Sequence, residues 1–81
     1  MRNELEALKK EVTNRIHQEF LVKFGGINRK FAKAAGCDEK TIRKLFDENQ
    51  GMSLNLFFKL ASALEIAPSK LLEGLEMKKE G

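Results

Sequence analysis

Apolar residues recur at a helical period over the first quarter of the chain. Five of them follow one another every three or four positions, which places them on one face of a helix: Leu5, Leu8, Val12, Ile16 and Phe20. Gly25 and Gly26 come next, and glycine is common just beyond the end of a helix. The pattern therefore predicts one long amphipathic helix over residues 3–23.

Two short helices are predicted after the glycine pair. Asn28 and Asp38 are residue types that favour the position before a helix, and each precedes a run in which apolar residues keep a helical spacing. We expect these helices over residues 29–35 and 39–47. Gly36 lies between them, where the chain must turn and a positive φ is often needed.

Two further helices complete the predicted fold. Ser53 precedes a helix predicted at about 54–64, and Pro68 suits the first turn of a last helix over 68–73. The apolar stripe expected on the fourth helix consists of Leu54, Phe57, Phe58, Ala61 and Leu64. A single proline and few β-branched residues favour helices throughout, so we expect an all-α fold of five helices.

The composition bounds the chemistry that the chain can perform. Its 81 residues suit one domain with a single modest core. Cys37 is the only cysteine, which excludes a disulfide framework, and we expect it to be a small buried residue. His17 is the only histidine and is expected on the polar or boundary surface of the first helix. The sequence offers no nucleophile with a base and orienting group, no metal cluster and no phosphate loop, so we expect no enzyme, cofactor or metal.

The expected location follows from hydropathy and cysteine content. No apolar run approaches the ~18 residues of a membrane span, so we expect no membrane partner. A single cysteine and no N-terminal signal sequence favour a cytoplasmic protein.

Positive charge is concentrated in the middle of the chain. The formal net charge is only +3. Residues 28–44 hold six cations and two anions, a net charge of +4, whereas residues 1–27 carry +1 and residues 45–81 carry −2. A basic segment of this kind is typical of modules that bind polyanions.

The two short helices have the spacing of a helix-turn-helix motif over residues 29–46. A small residue, Ala32, stands where the two helices would cross, and Gly36 follows four residues later at the turn. Ile42 follows six residues after that and would enter the core from the second helix. The predicted core positions of the motif are Phe31, Ala32, Gly36, Cys37, Ile42 and Leu45.

This arrangement resembles the helix-turn-helix of the Cro/phage-repressor (XRE-type) DNA-binding family. SLNLFFKLASALEI at residues 53–66 is similar to the family's fourth helix, and APSKLL at residues 67–72 is similar to its fifth. The resemblance covers about residues 14–73 and implies a lambda-repressor-like domain with an extended first helix. It also implies a bacterial or phage-type transcriptional regulator, a repressor that binds double-stranded DNA sequence-specifically as a homodimer.

The resemblance also implies which residues would contact DNA. In such proteins the second motif helix, here residues 39–47, lies in the major groove and is led by its N-terminal residues. The residues at its base-reading positions are Glu39, Lys40, Thr41, Arg43 and Lys44. The residues placed to contact phosphates are Asn28, Arg29, Lys30 and Lys33. The simpler alternative is a solvated face on which Glu39 and Arg43 form an ordinary ion pair.

Two features depart from the family pattern. Asp47 and Glu48 stand where the family often has a basic loop that contacts the DNA backbone. Their carboxylates should weaken binding, unless they face away from DNA or the domain depends on dimerisation. Phe46 stands where the family often has a glutamate that pairs with an arginine of the first helix. We therefore expect packing to replace that ion pair.

The first helix begins about ten residues earlier than the resemblance predicts. Residues 1–13 extend the apolar stripe through Leu5, Leu8 and Val12, which could pair with a second copy, dock another protein or pack on their own domain. The alternative function is a protein-interaction module, such as the antitoxin that binds the toxin of a toxin–antitoxin pair, with DNA binding secondary or lost. Residues 74–81 are expected to form a flexible tail.

Overall fold

Residues 2–47 and 52–75 form five α-helices. A computed structural model describes residues 2–47 and 52–75, and it describes side chains from residue 6 onward. The helices are α1 Arg2–Phe24, α2 Asn28–Ala35, α3 Glu39–Asp47, α4 Leu54–Leu64 and α5 Pro68–Leu71. Helices supply all the regular secondary structure of the described residues, which confirms the predicted all-α class of five helices.

Side chains from all five helices form one hydrophobic core. α1 contacts each of the other four helices and spans roughly 34 Å, because an α-helix rises about 1.5 Å per residue. α2 packs on α3, α4 and α1, so the pair α2–α3 is held on the long first helix. The buried core consists of Ile16, Phe20, Phe31, Ala32, Ile42, Leu45, Phe57, Leu60, Ala61, Leu64 and Leu71.

The connection between α1 and α2 contains two glycines with left-handed backbones. Gly25 has φ 63° and Gly26 has φ 77°, values that L side chains rarely adopt. Ile27 then returns to an extended backbone, and its carbonyl accepts the N–H groups of Lys30 and Phe31. The prediction that Asn28 caps a helix starting at residue 29 was wrong. Ile27 occupies the cap position without a side-chain cap hydrogen bond, and Asn28 is the first helical residue.

α4 has its predicted bounds, and Phe57, Ala61 and Leu64 of its predicted stripe are buried. Ser53 caps it as predicted, since its Oγ accepts the N–H of Leu56 at 3.0 Å. Leu54 and Phe58, both predicted for the buried stripe, are 68% and 49% exposed. Leu60, which was not in that stripe, is fully buried. Apolar side chains lie on most sides of α4 itself, so their spacing alone did not show which of them are buried.

Two cations of α1 contact the C-terminal ends of α4 and α5. Lys23 Nζ donates a hydrogen bond to the carbonyl of Leu64, the last residue of α4. The guanidinium of Arg15 donates to the carbonyl of Leu71 at 3.2 Å and to that of Glu73 at 2.6 Å. Carbonyls at a helix C-terminus lack intrahelical donors and carry partial negative charge, so these cations stabilise the docking of α4 and α5 on α1.

The ends of the chain depart from prediction or lie outside the described residues. α5 ends at Leu71, two residues before its predicted end, and the turn that follows passes through Gly74 with φ 82°. The side chain of Leu5, residue Glu48 and residues 76–81 of the predicted tail lie outside the described part of the chain. Within that described part, no helix combines the length and the apolar character needed to cross a membrane.

Candidate nucleic-acid interface

The angle between α2 and α3 is set by a hydrogen-bonded turn at Gly36. The N–H of Gly36 donates to the carbonyl of Lys33 at 3.3 Å, and the N–H of Cys37 donates to the carbonyl of Ala32 at 3.0 Å. This pair of bonds is the Schellman motif, which requires a left-handed residue, and Gly36 has φ 76°. The predicted positive φ at Gly36 is therefore confirmed.

The inner face of α3 is fixed by aliphatic and aromatic packing. Ile42 and Leu45 are buried, as predicted for motif core positions. The ring of Phe46 lies 5.2 Å from that of Phe20 and 4.6 Å from the imidazole of His17, both on α1. Phe46 thus joins α3 to α1 by ring packing, which confirms that it packs on the first helix. His17 is half-buried at this boundary, as predicted.

The remaining motif core residues lie on α2 and at the turn. Phe31 and Ala32 are buried, and the ring of Phe31 lies 5.0 Å from that of Phe20. Cys37 is half-buried against the core cluster, so it is less enclosed than predicted. Burial raises the pKa of the Cys37 thiol above its usual value, an effect that Asp38 reinforces and Lys59 opposes. This thiol is consequently suited to packing rather than to nucleophilic chemistry.

The outer face of α3 carries most of the predicted base-reading residues. Glu39, Lys40, Arg43 and Lys44 are all exposed, and their spacing of three and four residues places them on neighbouring rows of one helix surface. Arg43 Nη2 lies 3.4 Å from Glu39 Oε2. Thr41 differs from the others because it is half-buried. The structure therefore brings four of the five residues together on one open, mostly cationic surface.

The residues predicted to contact phosphates lie on α2. Arg29, Lys30 and Lys33 are exposed, and Asn28 is half-buried at the first position of the helix. The carbonyl of Ile27 accepts the N–H groups of Lys30 and Phe31, which leaves those of Asn28 and Arg29 as backbone donors beside the cations at this end of α2. α2 and α3 therefore both present positive charge to solvent on either side of the turn.

Two further charged residues modify this surface. Asp47 is exposed at the end of α3, in keeping with the acidic departure noted in the sequence. Lys59 is exposed on α4, and its charge acts on the Cys37 thiol, so it lies near the α2–α3 turn. Lys59 was not among the predicted contact residues, because α4 was predicted to be a core helix. Lys59 follows Asn55 by four residues, and two polar residues at this spacing could have indicated an outward-facing side of α4.

Metal-ligand geometry and similarity to known proteins give no further information on this interface. Among the described residues, no group of three or more histidine, cysteine, aspartate or glutamate side chains could hold a metal ion. No family model, no curated protein and no solved structure matches the chain. The function is therefore inferred from the residues of α2 and α3 and from the resemblance of their sequence pattern to the XRE-type helix-turn-helix.

Proposed function

We propose that the chain is an XRE-type, lambda-repressor-like domain that binds duplex DNA sequence-specifically, with α3 inserted in the major groove. One observation carries the proposal. α3 is anchored through Ile42 and Leu45 on one face and exposes Lys40, Arg43 and Lys44 on the other. A groove-reading helix needs both properties, because its polar side chains must meet base edges while the domain holds the helix rigidly.

The exposed side chains of α3 have the donors and acceptors for direct base readout. Arg43 and the neighbouring lysines can donate to guanine O6 and N7, and the Glu39 carboxylate can accept from cytosine N4. Thr41 is half-buried, so its share of the readout is limited to contact between its methyl group and that of a thymine.

α2 supports the proposal by offering phosphate contacts beside α3. The Asn28 side chain and the backbone N–H groups of Asn28 and Arg29 can bind one phosphate, and the helix dipole favours the negative charge there. Arg29, Lys30 and Lys33 add cations that attract the backbone irrespective of sequence. These contacts fix the register in which α3 meets the bases.

The ion pair between Glu39 and Arg43 is too weak to prevent the outer face of α3 from binding DNA. Their side chains are 43% and 55% exposed, and pairs of this kind contribute about 0.3–0.5 kcal/mol. A bidentate contact between an arginine and a guanine is worth about 1–3 kcal/mol of discrimination. DNA can therefore displace the pair, and the crowded cations of α3 gain stabilisation from phosphates.

The test is selection from a pool of random DNA duplexes at low salt, followed by binding at higher salt. An enriched inverted repeat with half-sites about 34 Å apart is expected for a dimeric sequence reader. Salt-sensitive retention without an enriched motif would indicate a general polyanion surface. If no duplex is retained, the DNA-binding proposal fails, and a protein-interaction module becomes the better function.

A matched pair of variants tests the assigned surface. Lys44→Gln removes one cation from the face of α3 and is expected to weaken binding and relax base preference at one position. Lys70→Gln makes the same chemical change on the exposed surface of α5 and should leave binding unchanged. Equal losses in both variants would show that net charge, not the α3 surface, determines binding.

A further inference from the structure

An apolar groove lies between the first half of α1, the start of α4 and the residue that follows α5. It encloses about 370 Å³, and its apolar walls come from Leu8, Val12, Met52, Leu54, Phe57 and Leu72. Its most deeply buried lining residues are Phe57 and Thr13, which are 6% and 9% exposed. The predicted apolar stripe of the early first helix is thus divided, because Val12 packs against the core while half-buried Leu8 faces the groove.

The size of the groove favours a small molecule over a protein segment. A cavity of about 150 Å³ holds a benzene-sized group, so 370 Å³ accepts about two rings or a chain of similar bulk. A docking helix inserts a row of anchors at positions i, i+3, i+4 and i+7, which is more side chains than this volume accepts. Small-molecule sites in proteins commonly enclose about 300–1,000 Å³ and combine apolar walls with a few polar groups, as this groove does.

The charged rim of the groove favours a ligand with a negative charge. Glu6, Lys9 and Lys10 line the α1 edge, and all three are exposed. Glu6 Oε2 lies 3.9 Å from Lys9 Nζ, so these two charges offset each other. Glu11, the acidic neighbour of Lys10, pairs instead with Arg15 at 3.2 Å. Among the described side chains, no carboxylate forms an ion pair with Lys10, so the rim presents a net positive charge at that residue.

Ser53 adds a hydrogen-bond donor on the α4 side of the groove. Its Oγ accepts the N–H of Leu56 at 3.0 Å, which leaves the hydroxyl proton able to donate to a ligand. A carboxylate at the rim can accept from this hydroxyl or, in a stronger charge-assisted bond, from the Lys10 ammonium. The apolar body of the same ligand would lie among the leucine side chains and on the ring of Phe57.

We propose that this groove binds a small carboxylic acid whose apolar body has the bulk of about two rings, with its carboxylate against Lys10. The inference goes beyond the proposed DNA binding, because it assigns a ligand to a second surface formed by α1, α4 and the end of α5. Residues of α2 and α3 do not line this groove, so the assignment does not rest on the proposed function.

The first experiment is calorimetric titration of the full chain with naphthoate, without DNA. Naphthoate combines a fused pair of rings with one carboxylate, and naphthalenemethanol is a neutral probe of nearly the same shape. Naphthoate is expected to bind at one site per chain with a sub-millimolar dissociation constant, roughly ten-fold more tightly than naphthalenemethanol. A lack of saturable naphthoate binding at millimolar concentration would overturn the proposal. Equal affinities of the two probes would overturn the role of the carboxylate.

A matched pair of lysine variants tests the contact with the anion. Lys10→Gln should weaken naphthoate binding roughly ten-fold and leave naphthalenemethanol binding unchanged, because only the carboxylate loses a partner. Lys70→Gln makes the same change in charge on exposed α5, outside the groove, and should leave the binding of both probes unchanged. Equal losses in the two variants would show that net charge attracts the anion, and would overturn the assignment of Lys10.

A second matched pair tests the apolar wall. Leu54→Glu should weaken the binding of both probes, and of naphthoate more strongly, because the new carboxylate repels the anion. Leu54 is 68% exposed and is the first residue of α4, where a negative charge favours the helix, so the variant should keep its fold. Val22→Glu places the same charge on another exposed apolar residue, near the far end of α1 and outside the groove, and should bind both probes like the wild type.

Unchanged binding in Leu54→Glu, or equal losses in Leu54→Glu and Val22→Glu, would overturn the proposed site. Because no DNA is present in any of these titrations, their results stand or fall separately from the proposed function.

Discussion

Arg43 reaches back one helical turn to Glu39 on the outer face of α3, with 3.4 Å between Nη2 and Oε2. The pair places an acceptor and a donor side by side on the surface that is proposed to meet DNA. Its carboxylate offers a contact to cytosine but also repels the phosphate backbone. Glu39 is therefore the residue at which specificity and general affinity should change in opposite directions.

Glu39→Gln should bind duplex DNA of any sequence more tightly and weaken its preference for cytosine at one position. The physical reason is that the change removes one negative charge from the interface and replaces one of the two acceptor oxygens with an amide donor, so a single, uncharged acceptor remains for cytosine N4. The loss of the ion pair should lower the free energy of unfolding by no more than about 0.5 kcal/mol. Fluorescence anisotropy titrations with specific and unrelated duplexes measure both effects.

The control for this change is Glu73→Gln, in the turn after α5. It alters net charge by the same amount on an exposed residue away from α2 and α3. This substitution should leave DNA binding unchanged. Equal gains in affinity from the two glutamine variants would mean that Glu39 has no special position in the interface.

Gly36→Ala should destabilise the fold by about 1–2 kcal/mol. A Cβ at Gly36 would meet no atom within 4 Å, so the cost comes from the left-handed backbone and not from a clash. Gly36→Asn should cost less, because asparagine tolerates this conformation better than alanine. Chemical denaturation of the three proteins measures the order. Identical midpoints for the alanine and asparagine variants would contradict this explanation.

All the helix bounds except the end of α5 were predicted to within one residue, because they depend on local features. A helix begins or ends within one turn of three such residues, Gly36, Ser53 and Pro68. Apolar residues at a helical spacing indicate the helices between these ends. The motif core at Ile42 and Leu45 followed from the same short-range spacing. These features can be read from the sequence because each acts over at most a few residues.

The features that were missed depend on contacts between distant segments. Arg15 and Lys23 donate to backbone carbonyls of α5 and α4, and a carbonyl acceptor has no side chain that a sequence pattern can show. Leu54 and Phe58 were assigned to the core because α4 is apolar on most of its surface, and only its packing on α1 and α2 selects the buried face. The ring contact between His17 and Phe46 joins residues far apart in the chain.

Glu65→Gly should stabilise the fold by about 1 kcal/mol. Glu65 ends α4 with φ 59°, and it is the one non-glycine residue with positive φ among those described. Its N–H donates to the carbonyl of Ser62, and the next N–H donates to Ala61, so the turn has the same form as that at Gly36. Glycine adopts this backbone without the Cβ penalty. Thermal or chemical denaturation measures the gain.

The appropriate control is Glu65→Gln, which removes the same charge but keeps the Cβ. It should leave the stability near that of the wild type. A gain as large as that of the glycine variant would assign the effect to charge and not to backbone conformation.

Arg15→Met should loosen α5 selectively. Methionine keeps a long apolar stem but lacks the guanidinium donors to the carbonyls of Leu71 and Glu73. Hydrogen bonds from charged groups contribute about 1.5–3 kcal/mol when enclosed, and the partly exposed site places the expected loss at about 1–2 kcal/mol. Amide hydrogen exchange should accelerate in α5 more than in α2. Arg29→Met, on the exposed face of α2, is the control, and a uniform acceleration in both variants would contradict the anchoring role.

Cys37 should make stability fall as the pH becomes alkaline. Burial raises the pKa of its thiol in the folded state, so the unfolded chain loses this proton at a lower pH than the folded one does. The protonated thiol therefore stabilises the fold fully at pH values below its pKa in the unfolded chain. This stabilisation is lost as the pH rises toward the pKa of the thiol in the folded chain. Cys37→Ala removes this dependence. Denaturation midpoints measured from neutral to alkaline pH should decline less in the alanine variant than in the wild type, whereas parallel declines would show that the Cys37 proton does not contribute.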